Sequence, residues 1–143
     1  MRILLLIFGL LFTTGLSAQK TENYTRAAVN KQASKSFGMS FETRHQDLGK
    51  VRKGEQRKTS FVFSNTGTED IEIEIVSACE CTTLDWPRHP VKPGEKGEIS
   101  VIFDSSEKEE SETIEIDINL KNKEPDTGYK RLEIVSYSYE LVD

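Results

Sequence analysis

The sequence predicts an all-β protein, an antiparallel β-sandwich built as a single domain. Three observations carry this reading. Apolar residues recur at period two in six or seven short runs, turn-forming residues separate the runs, and no helical periodicity lies between them. At 143 residues the chain is too short for two domains with sizeable cores.

The first segment stands outside that pattern. Arg2 precedes an apolar run from Ile3 to Phe12, and small residues follow as far as Ala18. This is the layout of a secretory signal peptide over residues 1–18, cleaved after Ala18. The apolar run falls well short of the ~20 residues that a membrane span needs, so no transmembrane anchor is expected after cleavage. A periplasmic or secreted protein is the expected product. Residues 19–36 carry only Tyr24 and Val29 as large apolar side chains, which reads as a flexible leader.

The sandwich is expected over residues 37–143. Phe37, Met39 and Phe41 share one face of a first strand. Phe61 and Phe63 do so within Thr59–Asn65, and Ile71, Ile73 and Ile75 alternate with Glu72 and Glu74. Ile99, Val101 and Phe103 come next, then Ile114, Ile116, Ile118 and Leu120. The last run changes phase. Leu132 and Ile134 lie on one face, whereas Val135, Tyr137, Tyr139 and Leu141 lie on the other, which predicts a β-bulge near Ile134–Val135. Lys53-Gly54, Asn65-Thr66-Gly67, Pro93-Gly94-Glu95 and Pro125–Gly128 supply the turns. Such runs, with no helix between them, read as a sandwich of two sheets.

Composition excludes several functions. The net charge of −5 argues against a nucleic-acid partner, because such a protein needs surplus Lys and Arg to displace phosphate counterions. The charge is divided along the chain: residues 20–58 carry 10 basic and 4 acidic side chains, residues 59–143 carry 8 and 20. Solvated strand faces account for this, and a polar partner surface is the sharper alternative. His45 and His89 are the only histidines, and neither belongs to a metalloprotease, hydrolase or phosphate-loop motif. The expectation is therefore no enzyme and no cofactor.

The centre of the chain is more specific. Phe61–Gly67, Ile71–Val76, Ser77-Ala78-Cys79-Glu80-Cys81-Thr82 and Val91–Ile99 follow one another in a fixed order. This series resembles an exported bacterial family known as domain of unknown function 1573, whose members carry Asn-Thr-Gly, Cys-Gly-Cys-Thr and Pro-Gly-Glu elements. The resemblance implies an immunoglobulin-like sandwich related to major-sperm-protein, Hydin-type and PapD-like domains. Glu80 stands where the family usually has Gly. That counts against a turn requiring positive φ between the cysteines, and it places a carboxylate between the sulfurs.

Two function classes remain. The first is an exported, non-catalytic module that binds or assembles with a protein or other cell-envelope partner. Its binding candidates are Cys79, Glu80, Cys81 and Trp86. The second is a redox or soft-metal site at Cys79 and Cys81. On an extended strand their Cα atoms lie ~6.6–7 Å apart, against about 5.5–6 Å in a disulfide, so a disulfide requires a kink at Glu80. So short a closed loop stabilises by only about 1–2 kcal/mol through chain entropy. A disulfide, free buried thiols and a metal site all stay open. As a metal site the pair has only His89 and Asp85 as further candidate ligands, which favours Cu(I) over zinc. Trp86 is expected to cap one end of the sandwich with its indole N–H hydrogen-bonded.

Overall fold

The computed structural model describes residues 35–143, and the signal-peptide reading together with nearly all of the leader lies outside them. Eight strands form two four-stranded sheets, and no helix occurs among the described residues. β1 (Met39–Phe41), β3 (Gln56–Asn65), β6 (Lys96–Asp104) and β5 (Thr82–Asp85) make the first sheet, in the order β1-β3-β6-β5. β2 (His45–Arg52), β8 (Lys130–Val142), β7 (Glu112–Lys123) and β4 (Ile73–Ser77) make the second, in the order β2-β8-β7-β4.

The inward faces of both sheets interdigitate, as alternation demands. Phe61, Phe63, Ile99 and Phe103 come from the first sheet, and Ile116, Ile118, Leu120 and Tyr137 from the second, all fully buried. The Phe103 ring lies 5.4 Å from that of Tyr137 and 4.4 Å from that of Tyr139, joining the layers through aromatic contacts. The turn signals fall between strands as expected, and Gly54, Gly94 and Gly128 adopt positive φ there.

Four expectations need correction. The sandwich is not wholly antiparallel, because β2 runs parallel to β8, with His45 opposite Ser136 and Val51 opposite Leu141. β2 and β5 raise the strand count to eight. β8 has no bulge at Ile134–Val135: its register with β7 runs unbroken from Glu112↔Tyr139 to Asn119↔Leu132. Leu132 and Ile134 instead face solvent, 52% and 41% exposed. Finally, Ile75 does not share the buried face of Ile71 and Ile73. The register shifts between Ile73 and Ile75, and the extra residue turns Ile75 outward to 51% exposure.

Candidate functional site

The cysteine pair sits in the connection between β4 and β5, where the chain leaves one sheet for the other. A turn at Glu80–Cys81 brings the two Cα atoms to 5.2 Å, and Cys79 and Cys81 form a disulfide. The kink that the pairing needs is therefore present. It uses no left-handed backbone, since no residue other than glycine has positive φ among those described. That explains how Glu80 can occupy a position usually held by Gly. The Thr82 amide donates to the Cys79 carbonyl at 3.0 Å, and the Asp104 amide donates to the Cys81 carbonyl at 2.9 Å. The turn is thus closed and anchored to β6 by backbone hydrogen bonds alone.

Thr82 opens β5 directly after the pair. Its Oγ1 lies 3.3 Å from Cys79 Sγ and 3.7 Å from Cys81 Sγ. The same oxygen is 2.5 Å from the hydroxyl of Tyr137, a core residue on β8. A disulfide sulfur has no hydrogen to give, so Thr82 donates to sulfur and accepts from Tyr137. Burial, above all, pushes the Tyr137 hydroxyl above its ordinary pKa, which keeps it protonated and donating.

Glu80 is exposed and both cysteines are half-buried. Cys81, Glu80, Thr83, Gln56, Asp104 and Glu107 line a cleft of about 490 Å³. Three of these six side chains are carboxylates. Hydrogen bonds from the Ser106 side chain, then the Gln56 side chain, then the Ser106 amide hold Asp104 down at about 2.

The remaining candidates are dispersed. His89 lines a separate small cleft with Arg88, Pro90 and Lys121, and Asp85 faces Arg88 at 4.0 Å. Among the described residues, no three His, Cys, Asp or Glu side chains are grouped to hold a metal ion. Trp86 packs against the core from the β5 end, with the Arg88 guanidinium 3.6 Å above its ring. Its Nε1 is buried without a hydrogen-bond partner, contrary to expectation.

Two features escaped the sequence reading. His45 bridges β8, with Nδ1 2.9 Å from Ser136 Oγ and Nε2 3.0 Å from Ser138 Oγ. Two hydroxyls thus occupy both ring nitrogens, on an exposed strand. The second feature is an apolar patch on the outer face of the β2-β8-β7-β4 sheet. Ile75, Asn119 and Leu132 form one cross-strand row there, and Ile134 lies in the next row along β8.

The family model described as "Protein of unknown function (DUF1573)" matches residues 39–134, which include the turn with the cysteines, β1 to β7 and the start of β8. The chain belongs to the DUF1573 family. No curated protein matches it. Among solved structures, this DUF1573 chain is similar to the secreted serine protease VesC from Vibrio cholerae (17% identity, TM-score 0.55), covering 74% of this chain and 23% of that one. It is similar to a protein of unknown function from Porphyromonas gingivalis W83 (20% identity, TM-score 0.58), over 75% of this chain and 47% of that one. The PapD-like domain 7 of human CEP192 is similar at 10% identity and TM-score 0.57, over 73% and 85%. The chain spans less than half the length of the first two. These likenesses show an immunoglobulin-like β-sandwich fold for this DUF1573 protein.

Proposed function

We propose that this DUF1573 protein is an exported, non-catalytic immunoglobulin-like module that binds a protein partner in the cell envelope. One observation carries the binding reading: Ile75, Leu132 and Ile134 stand exposed together on the outer face of one sheet. Alternation normally gives a solvent-facing sheet surface to polar residues, and grouped apolar side chains there mark an interaction surface. Around the patch, Lys130 pairs with Glu74 at 2.6 Å and Lys121 with Glu72 at 3.3 Å, a polar rim of the kind that borders protein interfaces. The Arg2–Ala18 pattern supports export to the periplasm or beyond. The dispersal of His45, His89 and Asp85 supports a non-catalytic role.

A photo-crosslinking residue at Leu132, introduced into the full chain in its native cell, tests the binding reading. The expected result is one dominant protein adduct in the envelope fraction, lost when Ile75 and Ile134 are both changed to Glu. A diffuse adduct pattern that the double substitution leaves unchanged overturns it. N-terminal sequencing of the same material tests export and is expected to begin at Gln19.

A further inference from the structure

We infer that the Cys79–Cys81 disulfide is a reversible thiol–disulfide exchange site that reacts with an exported dithiol protein carrying basic residues beside its thiol. This goes beyond the binding reading and rests on different residues.

The disulfide is superfluous as a staple. It spans a sequence separation of 2, and the turn it crosses is already closed by the Thr82 amide and docked by the Asp104 amide. A cross-link adds least where the loop it closes is shortest. What surrounds the sulfurs suits exchange instead. The two sulfurs are inequivalent: Cys81 borders the acidic cleft, whereas Cys79 lies nearer the Thr82 hydroxyl, at 3.3 Å. Attack therefore falls on Cys81 Sγ, and Cys79 Sγ departs.

The incoming thiolate forms a bond to Cys81 Sγ as the Cys79–Cys81 bond breaks, and the electron pair passes to Cys79 as thiolate. Thr82 Oγ1–H donates to that thiolate, and Tyr137 O–H, held in the core, donates to Thr82 in turn. A charge-assisted hydrogen bond stabilises the developing anion more than the neutral disulfide. The partner's second thiol then attacks its own sulfur in the mixed disulfide and releases Cys81. The partner is oxidised to a disulfide by two electrons, and its two protons end on Cys79 and Cys81. In reverse, the partner's disulfide oxidises the Cys79/Cys81 dithiol and is itself reduced to the dithiol. Thr82 is the positioning residue. Glu80, Asp104 and Glu107 repel anionic thiols and attract cationic ones, which sets the partner's charge.

The test uses the oxidised full chain and three small thiols of different charge: cysteamine (cationic), 2-mercaptoethanol (neutral) and glutathione (anionic). Opening of the disulfide is followed by alkylation and mass, with rates corrected for each reagent's thiolate fraction. The expected order is cysteamine, then 2-mercaptoethanol, then glutathione, with Glu80→Gln narrowing the spread between first and last. Thr82→Val slows opening by all three about tenfold, the order expected for losing a hydrogen bond to a charged group, and Thr82→Ser restores it. An order that does not follow charge, a Thr82→Val rate equal to wild type, or a disulfide that opens only after the domain unfolds overturns the proposal. Should Thr82→Val fail to fold, the charge series in wild type and Glu80→Gln decides alone. Failure of either test leaves the Leu132 crosslinking result unaffected, so the two readings fall separately.

Discussion

The Phe63 ring lies across the backbone of Gly97, its register partner on β6, so that a Cβ built on Gly97 collides with the ring. Both residues belong to the first sheet, and Phe63 is fully buried. The glycine is not needed for its dihedral freedom, because Gly97 has no positive φ. It leaves the space that a large aromatic fills. Gly97→Ala is expected to destabilise the domain by roughly 1–3 kcal/mol through overpacking. The double substitution Gly97→Ala, Phe63→Leu is expected to recover part of the loss. Urea unfolding of the four proteins in this cycle checks both statements. Equal stability of wild type and Gly97→Ala removes the packing argument.

Asn65 is a stronger structural element than the turn signal suggests. It is almost completely buried, with Nδ2 donating to the carbonyls of Glu69 at 2.7 Å and Val91 at 2.8 Å. Its Oδ1 accepts from the Gly67 amide at 3.0 Å. One side chain thus joins the end of β3 to the loop before β4 and to the segment before β6. Asn65→Leu removes all three hydrogen bonds, taking the side-chain partner from the half-buried Glu69 carbonyl and Gly67 amide, while the Val91 carbonyl keeps the Ile71 amide. The expected cost is about 2–4 kcal/mol, since each unsatisfied buried group costs about 1–3 kcal/mol. Asn65→Asp is expected to be little better, because a carboxylate cannot donate to carbonyls. Chemical denaturation of both variants checks the ranking.

Local patterning disclosed much of this architecture, and its failures have physical causes. The buried phases of β6 and β7 follow directly from Ile99, Val101 and Phe103 and from Ile116, Ile118 and Leu120. β2 left no such trace, since Val51 is its only fully buried residue and a sheet edge tolerates polar side chains. β5 has four residues, too few for a period to declare itself. Parallel pairing of β2 with β8 joins positions about ninety apart, and no local signal encodes it. At the site, the cysteine pair was legible by spacing. The Thr82–Tyr137 contact was not, because it depends on how the two sheets face each other across the core.

The phase of β8 is open to a direct comparison of two neighbours. Val135 is 1% exposed and Ile134 is 41% exposed on an unbroken ladder. Val135→Asp places an unpaired carboxylate in the core, a cost of several kcal/mol that exceeds the margin of most small domains. Ile134→Asp is expected to shift stability by no more than about 0.5 kcal/mol, as surface changes do. Circular dichroism of the two proteins at neutral pH checks this. Two folded variants, or two unfolded ones, reject the assigned facing.

Asp104 provides the pH prediction. Its Oδ1 accepts from the Ser106 hydroxyl at 2.6 Å and the Ser106 amide at 2.9 Å, while Oδ2 accepts from Gln56 Nε2 at 2.9 Å. These donors favour the ionised form and lower the carboxyl to about 2 from an ordinary 3.8. A depressed folded-state pKa means that the unfolded chain binds the proton more tightly. The resulting stability is therefore fully present above the unfolded value and is lost as pH falls through the folded one. The window lies between 3.8 and about 2. Asp104→Asn removes the titrating group, so its melting temperature should fall less steeply than that of wild type across this window. The carboxyl carbon resonance of Asp104 is expected to titrate with a midpoint near 2 and to move up in Ser106→Ala. A wild-type midpoint close to 3.8 shows that the Ser106 and Gln56 donors do not hold the carboxylate in solution, and the charge assigned to the cleft beside Cys81 would weaken with it at acid pH.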